Sequence, residues 1–317
     1  MAPLQGYESY IAFARESVWG TKIVAGMDFM EFLNESVAKT IEEKIVQGIN
    51  NSRVRTKRVL GANLTAGDIV WELNPEDGIG EILKHLLPDE TFTDDGIGNG
   101  GQHLFVEGST LPVGLTAQIS RGGLVFDHFG GRVNSLMITN AISELLQASA
   151  NVSFKDEEDG IYQAPTYTDE PPLVYHTGSV SIDGADSPLT NFVVTIETGL
   201  RADRRRLATK TIMQQSPGPY AVTGSIALAY EDNVLVDKFR NGAAVKIVID
   251  LTGNVIGTTT RRLRITIPTA FFNGQTPQVP GMDEIQLALP FVSIKDGTGT
   301  PDNLIQIELF NSLRVAY

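Results

Sequence analysis

"LTAGDIVWEL", Leu64 to Leu73, sets the fold class. Its apolar side chains Ile69, Trp71 and Leu73 fall on every second residue, the period of a strand with one buried face. Trp71 is in phase with that face and reads as core rather than as a sugar-binding platform. The stretch has a twin. "AVTGSIALAY", Ala221 to Tyr230, sets Gly224 over Gly67 and Ile226 over Ile69, and carries its own buried face on through Leu228 and Tyr230. Basic runs precede both copies: "RVRTKR" (Arg53–Arg58) and "RADRRR" (Arg201–Arg206). Short helical segments follow both. "GEILKHLL" (Gly80–Leu87) is stopped by Pro88, and "VLVDKFRNG" (Val234–Gly242) by an Asn-Gly signal.

A third echo lies downstream. "ELLQASANVSFKD" (Glu144–Asp156), set without gaps on "EIQLALPFVSIKD" (Glu284–Asp296), ends in nearly the same pentapeptide. Landmarks repeated in one order predict an internal duplication. The first unit covers residues 1–165 and the second 166–317, with the proline-rich "YQAPTYTDEPPLVY" (Tyr162–Tyr175) as the crossover. The offset falls from 157 at the glycines (224 − 67) to 140 at the pentapeptides (292 − 152), so the first unit holds 17 additional residues. "PDETFTDDGIGNGGQHLFVEGST" (Pro88–Thr110) is the expected place, read as a long loop without periodicity. "LTAQISRGGLVFDHFGGRV" (Leu115–Val133) reads as a hairpin around Arg121-Gly122-Gly123, and "AAVKIVIDLTG" and "RRLRITIPTAFFNG" as two further strands. The predicted fold class is mainly β: two tandem β-sandwiches or partial barrels, each with a short flanking α-helix.

Composition bounds the function. A chain of 317 residues with 42% apolar and 20% charged residues has ample surface to bury in two domains. No run of eighteen apolar residues predicts a membrane span, and the start "MAPLQGYESYIAFARE" lacks the pattern of a secretory signal. Cysteine is absent, which removes disulfides, thiolate nucleophiles and Cys-ligated zinc. The net charge is −13; residues 1–160 carry 12 Lys/Arg against 23 Asp/Glu, and residues 161–317 carry 13 against 15. Such acidity disfavours a protein that holds nucleic acid tightly.

No constellation carries chemistry. His85, His103, His128 and His176 form no His pair at helical metal spacing, and His128 and its neighbour Asp127 face opposite sides of a strand. "GIGNGG" (Gly96–Gly101) lacks the Lys-Ser/Thr end of a phosphate loop, and no Gly-x-Ser-x-Gly elbow occurs. No enzyme, catalytic residue, cofactor or metal is predicted. "KDEEDG" (Lys155–Gly160) lacks the ligand spacing of a calcium loop.

The ordered set of features resembles the major tail tube proteins of long-tailed, siphovirus-type bacteriophages, in a variant with two tube domains. The resemblance rests on "ARESVWGT" (Ala14–Thr21), similar to the family's opening Glu-Ser/Thr-x-x-Gly-Thr run. It continues through "FLNESVAKTIEEKIVQGINNSRVRTKRVLGANLTAGDIVWEL" (Phe32–Leu73) and "FVVTIETGLRADRRRLATKTIMQQSPGPYAVTGSIALAYED" (Phe192–Asp232). It implies a structural virion protein, a β-sandwich assembled as stacked rings into a tail tube through which DNA is ejected. Six tube units per ring become a homotrimer when each chain supplies two. The resemblance also implies the partners: sister copies, the tape measure protein, and the tail terminator and tip proteins. Double-stranded DNA passes without tight binding and no membrane is involved. The location is the virion tail, after assembly in the bacterial host cytoplasm.

Within that frame Arg53, Arg55, Lys57, Arg58, Arg204, Arg205 and Arg206, which lack interleaved aromatics, are candidates for ion pairs between subunits. Asp94 and Asp95 of the long loop are candidate assembly residues. Asp156, Glu157, Glu158 and Asp159 are a candidate acidic patch, read as a solvated loop or as facing the lumen. The terminal stretches "YESYIAFARE" and "LIQIELFNSLRVAY" (Leu304–Tyr317) are apolar enough to be docked, with adjacent rings as one destination. The alternative is a β-sandwich carbohydrate- or receptor-binding module of a virion, which would repeat an exposed aromatic-polar loop. No such loop is repeated.

Overall fold

The computed structural model describes all residues except 1–2, 50, 52, 142–143, 202, 280, 298 and 300. The chain is mainly β, and every strand pairing is antiparallel. The first half contains β1 (Tyr10–Arg15), β2 (Asp28–Met30), β3 (Asn34–Glu35), β4 (Ala38–Ile45) and β5 (Arg58–Glu72), then helix α1 (Ile79–Leu86). It continues with β6 (Asp89–Asp94), β7 (Gly101–Val106), β8 (Leu115–Arg121), β9 (Leu124–Ala141), β10 (Gln147–Phe154) and β11 (Asp156–Asp159). The second half contains β12 (Gly178–Ile182), β13 (Ala185–Asp186), β14 (Leu189–Glu197), β15 (Ala221–Ala229) and α2 (Val234–Asn241). It ends with β16 (Ala244–Ile256), β17 (Thr259–Phe272), β18 (Gln286–Ser293) and β19 (Gln306–Asn311).

Connectivity repeats between the halves. In the first, β1 pairs with β2 and β8, β8 with β9, β9 with β10 and β11, β10 with β5, and β5 with β3 and β4. In the second, β12 pairs with β13 and β16, β16 with β17, β17 with β18 and β19, β18 with β15, and β15 with β14. In each half one long strand, β9 or β17, belongs to two sheets that close over a shared apolar filling. Trp71, Ile69, Leu136, Ile138, Ala148 and Ala150 face Ile11, Phe13, Leu115 and Ile119 in one half. Ile226, Leu289 and Phe291 join Ile247, Ile249, Ile265 and Ile267 in the other. Ile69, Trp71 and Leu73 are buried as their alternation predicts, and Leu228 and Tyr230 pack against the same core.

Gly67 and Gly224 repeat for a physical reason. A Cβ on Gly67 would fall inside contact distance of the Ser36 carbonyl, and one on Gly224 inside that of the Val193 carbonyl. Each glycine lets the strand beside it approach without a side chain between. The two helices end where the sequence predicts; α2 closes on a left-handed Gly242 whose N–H returns to the Lys238 and Phe239 carbonyls. The Gly122-Gly123 turn joins β8 to β9.

Four expectations change. Pro88–Thr110 is not a structureless loop, because β6 and β7 form a hairpin within it. Its turn is held by the Asp95 carboxylate, which accepts the N–H groups of Ile97, Gly98 and Asn99 at 3.1, 3.0 and 3.1 Å. Second, Asp156–Asp159 is not a loop but the edge strand β11 against β9. Third, the matching pentapeptides are one residue out of structural step. Gly67 pairs with Val152 and Gly224 with Phe291, so the counterpart of Val152 is Phe291 rather than Val292. Burial agrees, since Val152 and Phe291 both face inward, and a slip of one residue would turn every side chain to the other face. Fourth, both terminal stretches dock on their own chain. β1 is buried between β2 and β8, and Tyr317 packs on the rings of His103 and Phe105, 4.8 and 6.0 Å away.

Candidate functional site

The halves meet edge to edge. Residues 135–141 of β9 pair with residues 191–197 of β14, so Thr195 lies opposite Met137 and Glu197 opposite Ser135. This joins β4, β5, β10, β9, β14, β15 and β18, in that order, into one continuous sheet. One face of it is the core. The residues in the opposite phase form an open face: Ala66, Asp68, Val70 and Glu72 on β5; Gln147, Ser149 and Asn151 on β10; Ser135, Met137 and Thr139 on β9. It continues through Asn191, Val193, Thr195 and Glu197 on β14, Thr223, Ser225 and Ala227 on β15, and Gln286, Ala288 and Pro290 on β18.

These side chains are mostly small or neutral polar, with the apolar Val70, Val193 and Met137 among them, three carboxylates, Asp68, Glu72 and Glu197, and no Lys or Arg. Asp68 accepts a hydrogen bond from the Asn151 amide at 2.6 Å, which in turn accepts one from Asn134 at 2.7 Å. A broad sheet face that is neither apolar enough to bury nor basic enough to bind polyanions is suited to water and to a sliding anion.

Further contacts lock the seam. The β6–β7 hairpin of the first half extends the second half's sheet, with β7 paired along β19. Arg261 of β17 reaches back to Glu76 at 2.5 Å and Glu170 at 3.3 Å, all three largely buried. The segment between β14 and β15 runs under the first half. Thr198 Oγ1 donates to the Asn134 carbonyl at 2.8 Å, Gln215 Nε2 to Ser153 Oγ at 2.9 Å, and the Asn63 N–H to the Lys210 carbonyl at 2.8 Å.

The predicted assembly residues fall in distinct places. Arg53, Arg55, Lys57 and Arg58 lie exposed on or beside the segment joining β4 to β5, and Arg58 pairs with Glu43 at 2.6 Å. Arg204, Arg205 and Arg206 lie on the equivalent segment between β14 and β15, where Arg204 and Arg205 donate to the Gln214 and Lys210 carbonyls. Asp94 pairs with Arg314 at 3.1 Å, and Asp95 holds its own turn. Asp156 pairs with Lys39 at 2.6 Å, Glu158 with Lys22 at 3.4 Å, and Glu157 lies 3.3 Å from His128. Asp159 is exposed at the strand end. None of these four belongs to the open face. Asp68, Glu72 and Glu197 were missed, although the alternation that buries Ile69 and Trp71 already puts Asp68 and Glu72 on the other side.

His85, His103 and His128 are buried in the fold, and His176 is exposed. Burial holds His85 near a pKa of about 3 and His128 near about 4, and His103 Nδ1 lies 2.9 Å from Glu90. Among the described residues no group of three or more His, Asp or Glu is placed to hold a metal ion. A cleft of about 360 Å3 between the β12–β13 hairpin and α2, lined by Ile182, Asp183, Pro188, Leu235 and Lys238 among others, presents no aromatic ring for a sugar. A family model described as phage tail tube protein matches residues 6–293 of the chain. No curated protein matches it.

Proposed function

Because the chain belongs to the phage tail tube protein family, we propose that its open seven-stranded face lines the tube as an acidic, non-adhesive channel for DNA. As a member of that family it is a structural component of the virion tail, and the family is not one of enzymes. The observation that carries the channel reading is that, among the described residues, the part of the face flanking the seam, residues 66–72 of β5 with β10, β9, β14, β15 and β18, presents Asp68, Glu72 and Glu197 and no Lys or Arg. Duplex DNA carries about one negative charge per 1.7 Å of axis, so a basic wall would trap it and an acidic, hydrated one leaves it mobile.

The chain is read as two copies of one unit, residues 1–165 and 166–317. The support is the core pairing scheme common to both halves, together with the paired glycines. Two units per chain favour three copies in a ring, a homotrimer with near-sixfold symmetry, stacked into a tube assembled in the host before joining the virion. Its partners are other copies and, by family, the tape measure, terminator and tip proteins.

The test places cations on the wall. Ser149→Lys combined with Thr195→Lys should leave assembly intact, yet give tubes that retain duplex DNA at low salt and release it as salt rises. Phage built with this variant should eject DNA more slowly. Variant tubes that retain no more DNA than the parent would remove this face from the channel.

A further inference from the structure

We propose that Glu16 is the positioning residue of the channel wall: its carboxylate holds the bend at which β9 leaves the sheet of β8 and β11 and enters the open face. The inference rests on the channel reading above and assigns what fixes the slope of that wall. β9 serves two sheets in turn. Residues 124–131 pair with β8 and residues 126–129 with β11, whereas residues 132–139 pair with β10 and 135–141 with β14. The change falls on a β-bulge. Leu115 faces Gly131 and Ala117 faces His128, so Thr116 alone stands opposite both Phe129 and Gly130. Such an extra residue bends its strand and leaves a backbone group outside the ladder.

Glu16 meets that group. Its Oε1 accepts the Gly130 N–H at 2.6 Å and the Thr116 hydroxyl at 3.0 Å, and its Oε2 accepts the Gly20 N–H at 2.6 Å. Glu16 is only 2% exposed, so these three donors stand in for water around a buried carboxylate. Gly20, four residues on and left-handed at φ 72°, closes the turn around it. The Glu16 N–H donates to the Gly114 carbonyl at 2.9 Å, next to the start of β8. Gly130 is itself left-handed at φ 66°, and a Cβ there would press on Lys155. Lys155 completes the corner. Its N–H donates to the Phe129 carbonyl at 2.9 Å, its Nζ donates to the Gly20 carbonyl at 3.3 Å, and the ammonium lies 5.4 Å from the Trp19 ring. Lys155 also separates β10 from β11, so the strand across from β9 turns at the same point.

The second half makes the same bulge by other means. Val245 faces Ala270 and Ile247 faces Ile267, so Lys246 stands opposite Pro268 and Thr269. Proline at the position of Phe129 fixes its own φ and has no N–H to satisfy, so that bend is written into the strand itself. In the first half the hinge is a glycine, which tolerates many conformations. Its bend therefore depends on a side chain brought from residue 16. Ser135, Met137 and Thr139 of the open face follow directly after the corner, and the angle set there is the angle at which they meet β14.

The experiment separates the two carboxylate oxygens. Glu16→Asp withdraws the carboxylate by one methylene towards its own turn and takes it out of reach of Gly130. Glu16→Gln keeps an oxygen for Gly130 and Thr116 but turns an amide NH2 towards the Gly20 N–H. Ile265→Val, in the core of the second half, lowers stability without touching the corner. Each variant is taken through urea unfolding, tryptophan fluorescence to follow Trp19, and electron-microscopic reconstruction of its tubes, with bore and helical twist as the readout.

Glu16→Asp should fold and give tubes shifted in bore or twist. Glu16→Gln should give tubes of parental geometry with a shifted Trp19 emission, and Ile265→Val parental tubes despite an earlier unfolding midpoint. Parental tubes from Glu16→Asp would overturn the assignment and leave the channel reading standing. A changed bore in Glu16→Gln would overturn it too, and that arm decides the matter should Glu16→Asp not fold. An equal change in Ile265→Val would show that Glu16 acts through stability and not through position. A shifted bore in Glu16→Asp, alongside Ser149→Lys with Thr195→Lys tubes that retain no added DNA, would keep the bend and remove the channel reading.

Discussion

Lowering the pH from 7 to 5 should destabilise the isolated subunit through its buried histidines, and the carboxyls that burial raises, Asp77 above all, should oppose them. His85 on α1 is completely buried with neither ring nitrogen hydrogen-bonded. Burial, reinforced by Arg132, holds it to a pKa of about 3, and burial holds His128 to about 4. In the unfolded chain both return to about 6.5. Their folded pKa values are depressed, so their contribution is complete above pH 6.5 and is lost as pH falls. By pH 5 the unfolded chain gains about 2 kcal/mol of proton binding at each, about 4 kcal/mol together. Asp77 acts in the opposite sense. Burial first, then the charge of Glu31, raises its carboxyl to about 7, so its penalty on the folded state relaxes as pH falls from 7 towards 4. Over the same interval that returns about 2 kcal/mol. From these three groups alone the wild-type subunit should lose about 2 kcal/mol, Asp77→Asn about 4, and His85→Leu close to none, so Asp77→Asn should lose about 2 kcal/mol more than the wild type. Urea unfolding followed by tryptophan fluorescence at pH 7 and pH 5, on protein kept below the concentration of assembly, measures all three. Equal losses in the wild type and Asp77→Asn would show that Asp77 is not held protonated by its surroundings.

Three further outcomes are expected. Gly224→Ala drives a methyl into the Val193 carbonyl and should cost about 1–3 kcal/mol, seen as a lower unfolding midpoint. Arg261→Leu leaves the buried Glu76 and Glu170 unpaired at the seam and should cost about 3–5 kcal/mol, seen as earlier urea unfolding and faster proteolysis near β14. Arg132 is buried with its Nε and Nη1 unbonded; Arg132→Met should be neutral or stabilising by up to about 4 kcal/mol, read as a raised Tm.

The sequence carried the parts of the fold that one strand can announce alone. The alternation of Ile69, Trp71 and Leu73, the Gly122-Gly123 turn and the Asn-Gly end of α2 all depend on local chemistry. The β6–β7 hairpin escaped because only short runs alternate there, and its partner β19 lies some two hundred residues away. β11 escaped for a similar reason. Four consecutive acidic residues look like a solvated loop, yet their backbone completes the edge of β9 while Lys39 and Lys22 hold the side chains. The pentapeptide echo pointed to the right pair of strands and misplaced them by one step, because identity of letters does not fix the phase of burial. The open face was half legible. Phase alone could have given Asp68 and Glu72, which were missed, but that β5 and β14 share one sheet depends on the seam, which no local pattern encodes.

The β6–β7 hairpin grips one side of the second half, and among the described residues the second half has no equivalent to offer a neighbour. In a closed hoop of three chains, fastened joints would alternate with plain ones. Bending or tension would then open the plain joints first, and a strained hoop would come apart into whole molecules, each still carrying its own clasp.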